Sequence, residues 1–114
     1  MYKMIVVDDE YIVRLGITET VDWNEHGIEV VATAVNGKDG LEKIRELNPD
    51  VVISDVKMPV MNGVEMVKTL HEENFDGMMI MLSGYNDFEY AKNALEAGVF
   101  RYLLKPIVDL FVGS

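Results

Sequence analysis

A small set of chemically capable residues recurs directly after short apolar runs. Asp8, Asp9 and Glu10 follow Met4-Ile5-Val6-Val7, and Ser54 and Asp55 follow Val51-Val52-Ile53, with Val56-Lys57-Met58-Pro59 beyond. Ser83-Gly84 follows Met79-Ile80-Met81-Leu82, and Lys105-Pro106 follows Tyr102-Leu103-Leu104. Carboxylates crowded into one pocket repel each other, which raises a pKa or demands a cation. A hard divalent ion such as Mg2+ is held by one or two carboxylates, waters and substrate oxygens. Asp9 and Asp55 are the expected direct ligands, with Asp8 acting through water and the Lys57 backbone carbonyl completing the set. Lys105 offers a mobile point charge for a phosphoryl oxygen, and Ser83 offers a hydroxyl donor. A carboxylate can itself accept a phosphoryl group and become an acyl phosphate. Positioning and charge neutralisation then supply most of the catalysis.

Such residues meet only if the elements carrying them point the same way. The four apolar runs are continuous, as expected of strands covered by helices on both faces. Ile28 to Val35 is a fifth run, broken by Glu29 and Thr33, and is expected at a sheet edge. Helical stripes lie between the runs: Leu41, Ile44 and Leu47; Val64, Val67 and Leu70; Phe88, Ala91 and Leu95. Asn62 with Glu65, and Asn86 with Glu89, have capping-box spacing. Asn48-Pro49 closes the first of these helices, and Gly98 suits a left-handed cap at the end of the third. Alternating strands and helices predict a three-layer α/β sandwich of the flavodoxin-like type, with a five-stranded parallel sheet in the order 2-1-3-4-5. In open parallel sheets ligands bind beyond the carboxyl ends of the strands, where the acids, Ser83 and Lys105 all fall.

The chain has 114 residues, enough for one domain over 1–114. Its formal net charge of −10 argues against direct nucleic-acid binding by this segment, because phosphate contacts need clustered Lys and Arg. No apolar run is long enough to span a membrane, and no signal-peptide pattern precedes Asp8. The absence of cysteine excludes disulfides and thiolate metal sites, and the natural reading is a cytoplasmic protein. After Pro106 only Ile-Val-Asp-Leu-Phe-Val-Gly-Ser remains, about two helical turns. The fifth helix is therefore expected to be truncated, and the chain to be a piece of a longer protein.

The strings Val-Val-Asp-Asp-Glu, Ser-Asp-Val-Lys-Met-Pro, Leu-Ser-Gly-Tyr and Tyr-Leu-Leu-Lys-Pro together resemble the receiver domains of two-component response regulators. The resemblance implies that Asp55 is the phosphoacceptor, charged by a sensor histidine kinase with Mg2+, and that Asp8 and Asp9 are the acidic pair. It implies that Ser83 is the switch hydroxyl, that Lys105 contacts the phosphoryl group, that Tyr102 is the switch aromatic, and that Lys105-Pro106 is a cis peptide. It also implies a self-phosphorylating and self-dephosphorylating module rather than a turnover enzyme, with a homodimer through the fourth helix, the one expected to carry the Phe88-Ala91-Leu95 stripe, and the fifth strand as one arrangement. Val-Arg-Leu-Gly-Ile, Trp23 ahead of Gly-Ile-Glu-Val-Val, and Ser-Gly-Tyr-Asn-Asp-Phe-Glu-Tyr-Ala resemble receivers joined to AraC-type helix-turn-helix outputs, which would make the output DNA-binding. Lys57 and Tyr85, each two residues beyond a site residue, are expected to roof the phosphoryl group, and Gly84 to leave one wall open.

Plainer readings stand beside these. Asp8 and Asp9 could cap a helix starting near Tyr11; Asp55 could be a solvated loop acid; Tyr102 could simply pack. His26 and His71 read as solvated, the methionines as core filler, and Trp23 as packing against a neighbouring loop. An aspartyl phosphatase or phosphotransferase would want a second acid where Lys57 stands. A flavin protein of similar topology would want a phosphate-cradling loop in place of Asp8-Asp9-Glu10. A pseudo-receiver would bind partners without phosphorylation.

Overall fold

The computed structural model describes side chains for residues 1–82, and backbone also for 83 and 101–104. Its strands are β1 (Tyr2–Val7), β2 (Ile28–Ala34), β3 (Val51–Asp55), β4 (Met78–Ser83) and β5 (Arg101–Leu104). They form one sheet in the order β2-β1-β3-β4-β5, with every pairing parallel. The described helices are α1 (Tyr11–Thr20), α2 (Gly37–Leu47) and α3 (Gly63–Glu72), with a 3-10 turn over Trp23–His26. The expected strand order holds.

The continuous apolar runs are divided between the two faces by the period of the strand. Ile5, Val7 and Val52 join Leu41, Ile44, Val64, Met66, Val67 and Leu70 in a core beneath α2 and α3. Met4, Val6 and Ile53 join Ile17 of α1, Trp23 and Leu82 on the opposite face. Each such side chain, taken from water, contributes about 1.5–3 kcal/mol. β2 lies at one edge of the sheet, with Glu29 exposed. Its register with β1 skips Val31, since Met4 pairs with Val30 and Ile5 with Ala32. That bulge lets the longer β2 keep pace with β1 up to Val7 and Ala34, next to the acids.

The predicted ends hold for α2 and α3. Asn48 closes α2 in the left-handed conformation at φ 45°, and Asn62 and Glu65 form a reciprocal capping box on α3. Trp23 is a core residue rather than loop packing: its ring is buried, and its indole N–H donates to Ile17 O at 2.8 Å. Met4, Met66, Met79 and Met81 fill the core, whereas Met1 and Met78 are exposed. The stripe Phe88-Ala91-Leu95, the Asn86 box, Gly98 and the segment after Leu104 lie outside the described residues. No described helix is long and apolar enough to cross a membrane.

Candidate functional site

From β1 the chain crosses to β2 on one side and then returns to β3 on the other. The carboxyl ends of β1 and β3 therefore flank the point where the winding reverses, the crevice in which doubly wound sheets bind ligands. Val7 pairs with Ser54, so Asp8 and Asp55 follow paired residues on adjacent strands. Asp55 is the last residue of β3 rather than the first of a loop, because pairing with β4 continues through Asp55 and Leu82. Strand geometry thus fixes its backbone. One carboxylate oxygen from each of Asp8, Asp9, Glu10 and Asp55 lies within 4.8 Å of the others. Asp8 and Asp55 are buried, and Asp9 and Glu10 are exposed.

Local hydrogen bonds hold these groups. Asp8 N–H donates to Ala34 O at 3.0 Å, and the Asp8 carboxylate accepts from Glu10 N–H at 2.9 Å. α1 begins after Glu10, whose own side chain makes no cap hydrogen bond. Arg14 reaches back from α1 to donate to Asp8 O at 2.7 Å, fixing the turn on the helix. The Asp55 carboxylate accepts from Val56 N–H at 2.8 Å, and Ser54 Oγ donates to Asp55 O at 2.9 Å. Beyond it, Gly63 N–H donates to Val56 O at 2.7 Å and Gly37 N–H to Met61 O at 2.8 Å, closing the 56–62 segment at both ends. Within that segment Val60 adopts φ 70°, a left-handed conformation seldom taken by a β-branched residue. Asp9, Val56, Lys57, Met58, Pro59 and Asn62 line an open cleft of about 420 Å³.

All four acids offer hard oxygen donors converging from two turns, a set that suits a small divalent cation such as Mg2+. Three of the sequence-predicted residues, Asp8, Asp9 and Asp55, are brought together, and Lys57 lies on the rim of the adjoining cleft. Ser83 ends β4 one residue past Leu82, the partner of Asp55, so its backbone is at the same end of the sheet. Tyr102 pairs with Met81 and Leu104 with Ser83. The side chains of Ser83 and Tyr102, and all of Gly84, Tyr85, Lys105 and Pro106, lie outside the described residues. His26 and His71 are exposed and apart from the cluster. Glu10 was not assigned from sequence, although its place beside Asp9 signals it. Arg14 and the Val56 N–H carried no such signal.

A doubly wound α/β domain with an acidic pocket at the carboxyl ends of two adjacent interior strands is the class that fold and site define. The chain belongs to the response regulator receiver domain family, whose sequence model matches residues 4–110. It is 42% identical over 106 residues to the uncharacterized transcriptional regulatory protein YesN of Bacillus subtilis, covering 93% of this chain and 29% of that protein. It is 36% identical over 107 residues to the transcriptional regulatory protein HptR of Staphylococcus aureus, covering 94% and 42% respectively. The receiver domain of AraT, a response regulator from Geobacillus stearothermophilus, superposes with a TM-score of 0.86 at 42% identity, over 92% of this chain and 81% of that one. The response regulator domain of Thermotoga maritima CheB gives a TM-score of 0.86 at 26% identity, over 99% and 92%. The chain is a response-regulator receiver domain and spans well under half the length of these two transcriptional regulators.

Proposed function

We propose that Asp55 is the phosphoacceptor, taking a phosphoryl group from a histidine of a sensor kinase. The observation that carries this reading is the buried Asp55 at the end of β3, with carboxylates of Asp8, Asp9 and Glu10 gathered within 4.8 Å. An Asp55 carboxylate oxygen attacks phosphorus, the P–N bond to the donor imidazole breaks, and its electron pair returns to the ring nitrogen. The Val56 N–H bond to Asp55 Oδ1 fixes the rotation of the carboxylate for this attack. Asp9 and Asp55 would hold Mg2+ directly, with Asp8 through water and the Lys57 carbonyl as a further ligand. When bound, the ion offsets the charge of the acids and of the phosphoryl oxygens. Lys105 and Ser83 are assigned to those oxygens on the resemblance of Tyr-Leu-Leu-Lys-Pro and Leu-Ser-Gly-Tyr to the family's motifs.

Phosphorylation adds roughly −1.5 to −2 charge units to this acidic pocket. Inward movement of Ser83 and turning of Tyr102 would carry that change to the surface of the fourth helix and β5. The reader of that surface is an output domain beyond this chain, of DNA-binding AraC type on the resemblance of Val-Arg-Leu-Gly-Ile and Ser-Gly-Tyr-Asn-Asp-Phe-Glu-Tyr-Ala. Homodimerisation through the fourth helix and β5 and a cytoplasmic location complete the reading. The protein is a switch and not a turnover enzyme.

The test is labelling by radiolabelled acetyl phosphate, with and without Mg2+, on this chain and on Asp55→Asn. Mg2+-dependent labelling that disappears in the variant is expected. Equal labelling of both proteins removes Asp55 from the role.

A further inference from the structure

Two of the three described α-helices, α2 and α3, open with Asn-Gly. Asn36 caps α2 and is followed by Gly37; Asn62 caps α3 and is followed by Gly63. Each asparagine side chain accepts a backbone N–H three residues on, which accounts for the caps. Glycine next to them serves neither helix, since it is among the poorest helix formers. Nor does backbone conformation call for it, because neither residue lies in the left-handed region.

Space calls for it. A Cβ on Gly63 would fall deep within the van der Waals radius of the Asp55 carbonyl oxygen, and 2.7 Å from Met81 Cε. A Cβ on Gly37 would lie 2.6 Å from Met61 O and 3.0 Å from Asn62 O. The obstructing oxygens are backbone atoms, which cannot rotate aside as a side chain would. Restoring a carbon-to-oxygen separation of about 3.3 Å at residue 63 requires a shift on the order of 1 Å. That shift falls on Asp55 itself or on α3. Gly16, inside α1, has nothing within 4 Å of its would-be Cβ.

We infer that Gly63 and Gly37 are positioning residues for metal-assisted phosphoryl transfer at Asp55. Their missing side chains let the starts of α3 and α2 close on residues 56–62 and set where Asp55 stands relative to the Asp8-Asp9-Glu10 turn. The inference rests on the phosphoacceptor reading. Gly63 N–H holds Val56 O and Gly37 N–H holds Met61 O, so the segment carrying the Lys57 carbonyl is clamped from both helices. Mg2+ tolerates little distortion, with ligands at about 2.0–2.1 Å in near-octahedral array.

The experiment compares wild type, Gly63→Ala, Gly37→Ala and Gly16→Ala by two readouts: the Mg2+-induced rise in Tm, titrated to give an affinity, and the rate of labelling by acetyl phosphate. In Gly63→Ala, Mg2+ affinity is expected to fall about 10-fold or more, and labelling to slow by about 100-fold. Gly37→Ala is expected to move the same way by about 10-fold, and Gly16→Ala to match wild type in both. A purely structural role would lower the starting Tm and leave the Mg2+ affinity of the folded protein and its labelling rate unchanged. That result overturns the inference. If Gly63→Ala does not fold, Gly37→Ala decides by the same readouts. If wild type itself neither binds Mg2+ nor labels, the phosphoacceptor reading fails; if wild type does both and the glycine variants equal it, only the positioning role fails.

Discussion

Replacing Asp9 with Asn should make the protein more stable without Mg2+ and nearly indifferent to it. The site holds four carboxylates within 4.8 Å of one another, so removing the Asp9 charge relieves three repulsions. At that separation each repulsion is about 1 kcal/mol in water-like surroundings and about 3.5 kcal/mol at an effective dielectric of 20. Asp9 is exposed, which favours the lower figure, and salt screens it further. An acid just before α1 also gains roughly 0.3–1 kcal/mol from the helix N-terminus, which Asn forgoes. A net stabilisation of about 1–2 kcal/mol remains, or several degrees in Tm for a domain of this size. Wild type, by contrast, should gain about 2.7 kcal/mol when Mg2+ is at 100 times its dissociation constant. The assay is urea unfolding followed by circular dichroism, with EDTA and with saturating Mg2+. The variant should be the more stable protein in EDTA, and the order should close or reverse in Mg2+. A variant less stable than wild type in EDTA would mean that the acids are not in net repulsion. An equal response to Mg2+ in both would mean that Asp9 is not a ligand.

Two further predictions concern the scaffold. Val60 is exposed and left-handed at φ 70°, a conformation costing an L-residue roughly 1–2 kcal/mol. Val60→Asn, which tolerates that conformation, should raise the urea midpoint by an amount equivalent to about 1 kcal/mol; a lowered midpoint would show that the turn is not strained. Between the ends of α2 and α3, the Arg45 guanidinium donates to Glu73, with Nε to Oε1 at 2.9 Å. This hydrogen bond holds the Glu73 carboxyl below its ordinary range and raises Arg45. A lowered folded-state pKa contributes stability above the unfolded value and loses it as pH falls through the folded one. The advantage of wild type over Glu73→Gln, small because the pair is half-exposed, should be full at neutral pH and fade below about pH 4. A gap that persists in strong acid would place the effect outside the ion pair.

The fold could be read from sequence because a parallel sheet advertises itself. Met4–Val7 and Val51–Ile53 are apolar at every position, which only two covered faces permit, and the caps at Asn48 and Asn62 mark where the helices between them stop and start. Direction followed, and with it the end of the sheet at which Asp8, Asp9 and Asp55 had to lie. The place of Trp23 is not legible, because a lone aromatic in a polar stretch, Val-Asp-Trp-Asn-Glu, gives no period; only the 3-10 turn rotates it inward to Ile17. Spacing also could not give distances. The asparagine of each Asn-Gly pair announces a helix, while the glycine looks like a defect until its absent Cβ is set against Met61 O or the Asp55 carbonyl. Polar groups and periodicity are written in residue types, but close approach is written in what a residue lacks. For that reason Asp8, Asp9 and Asp55 are legible in the sequence, and the glycines that space them only in the structure.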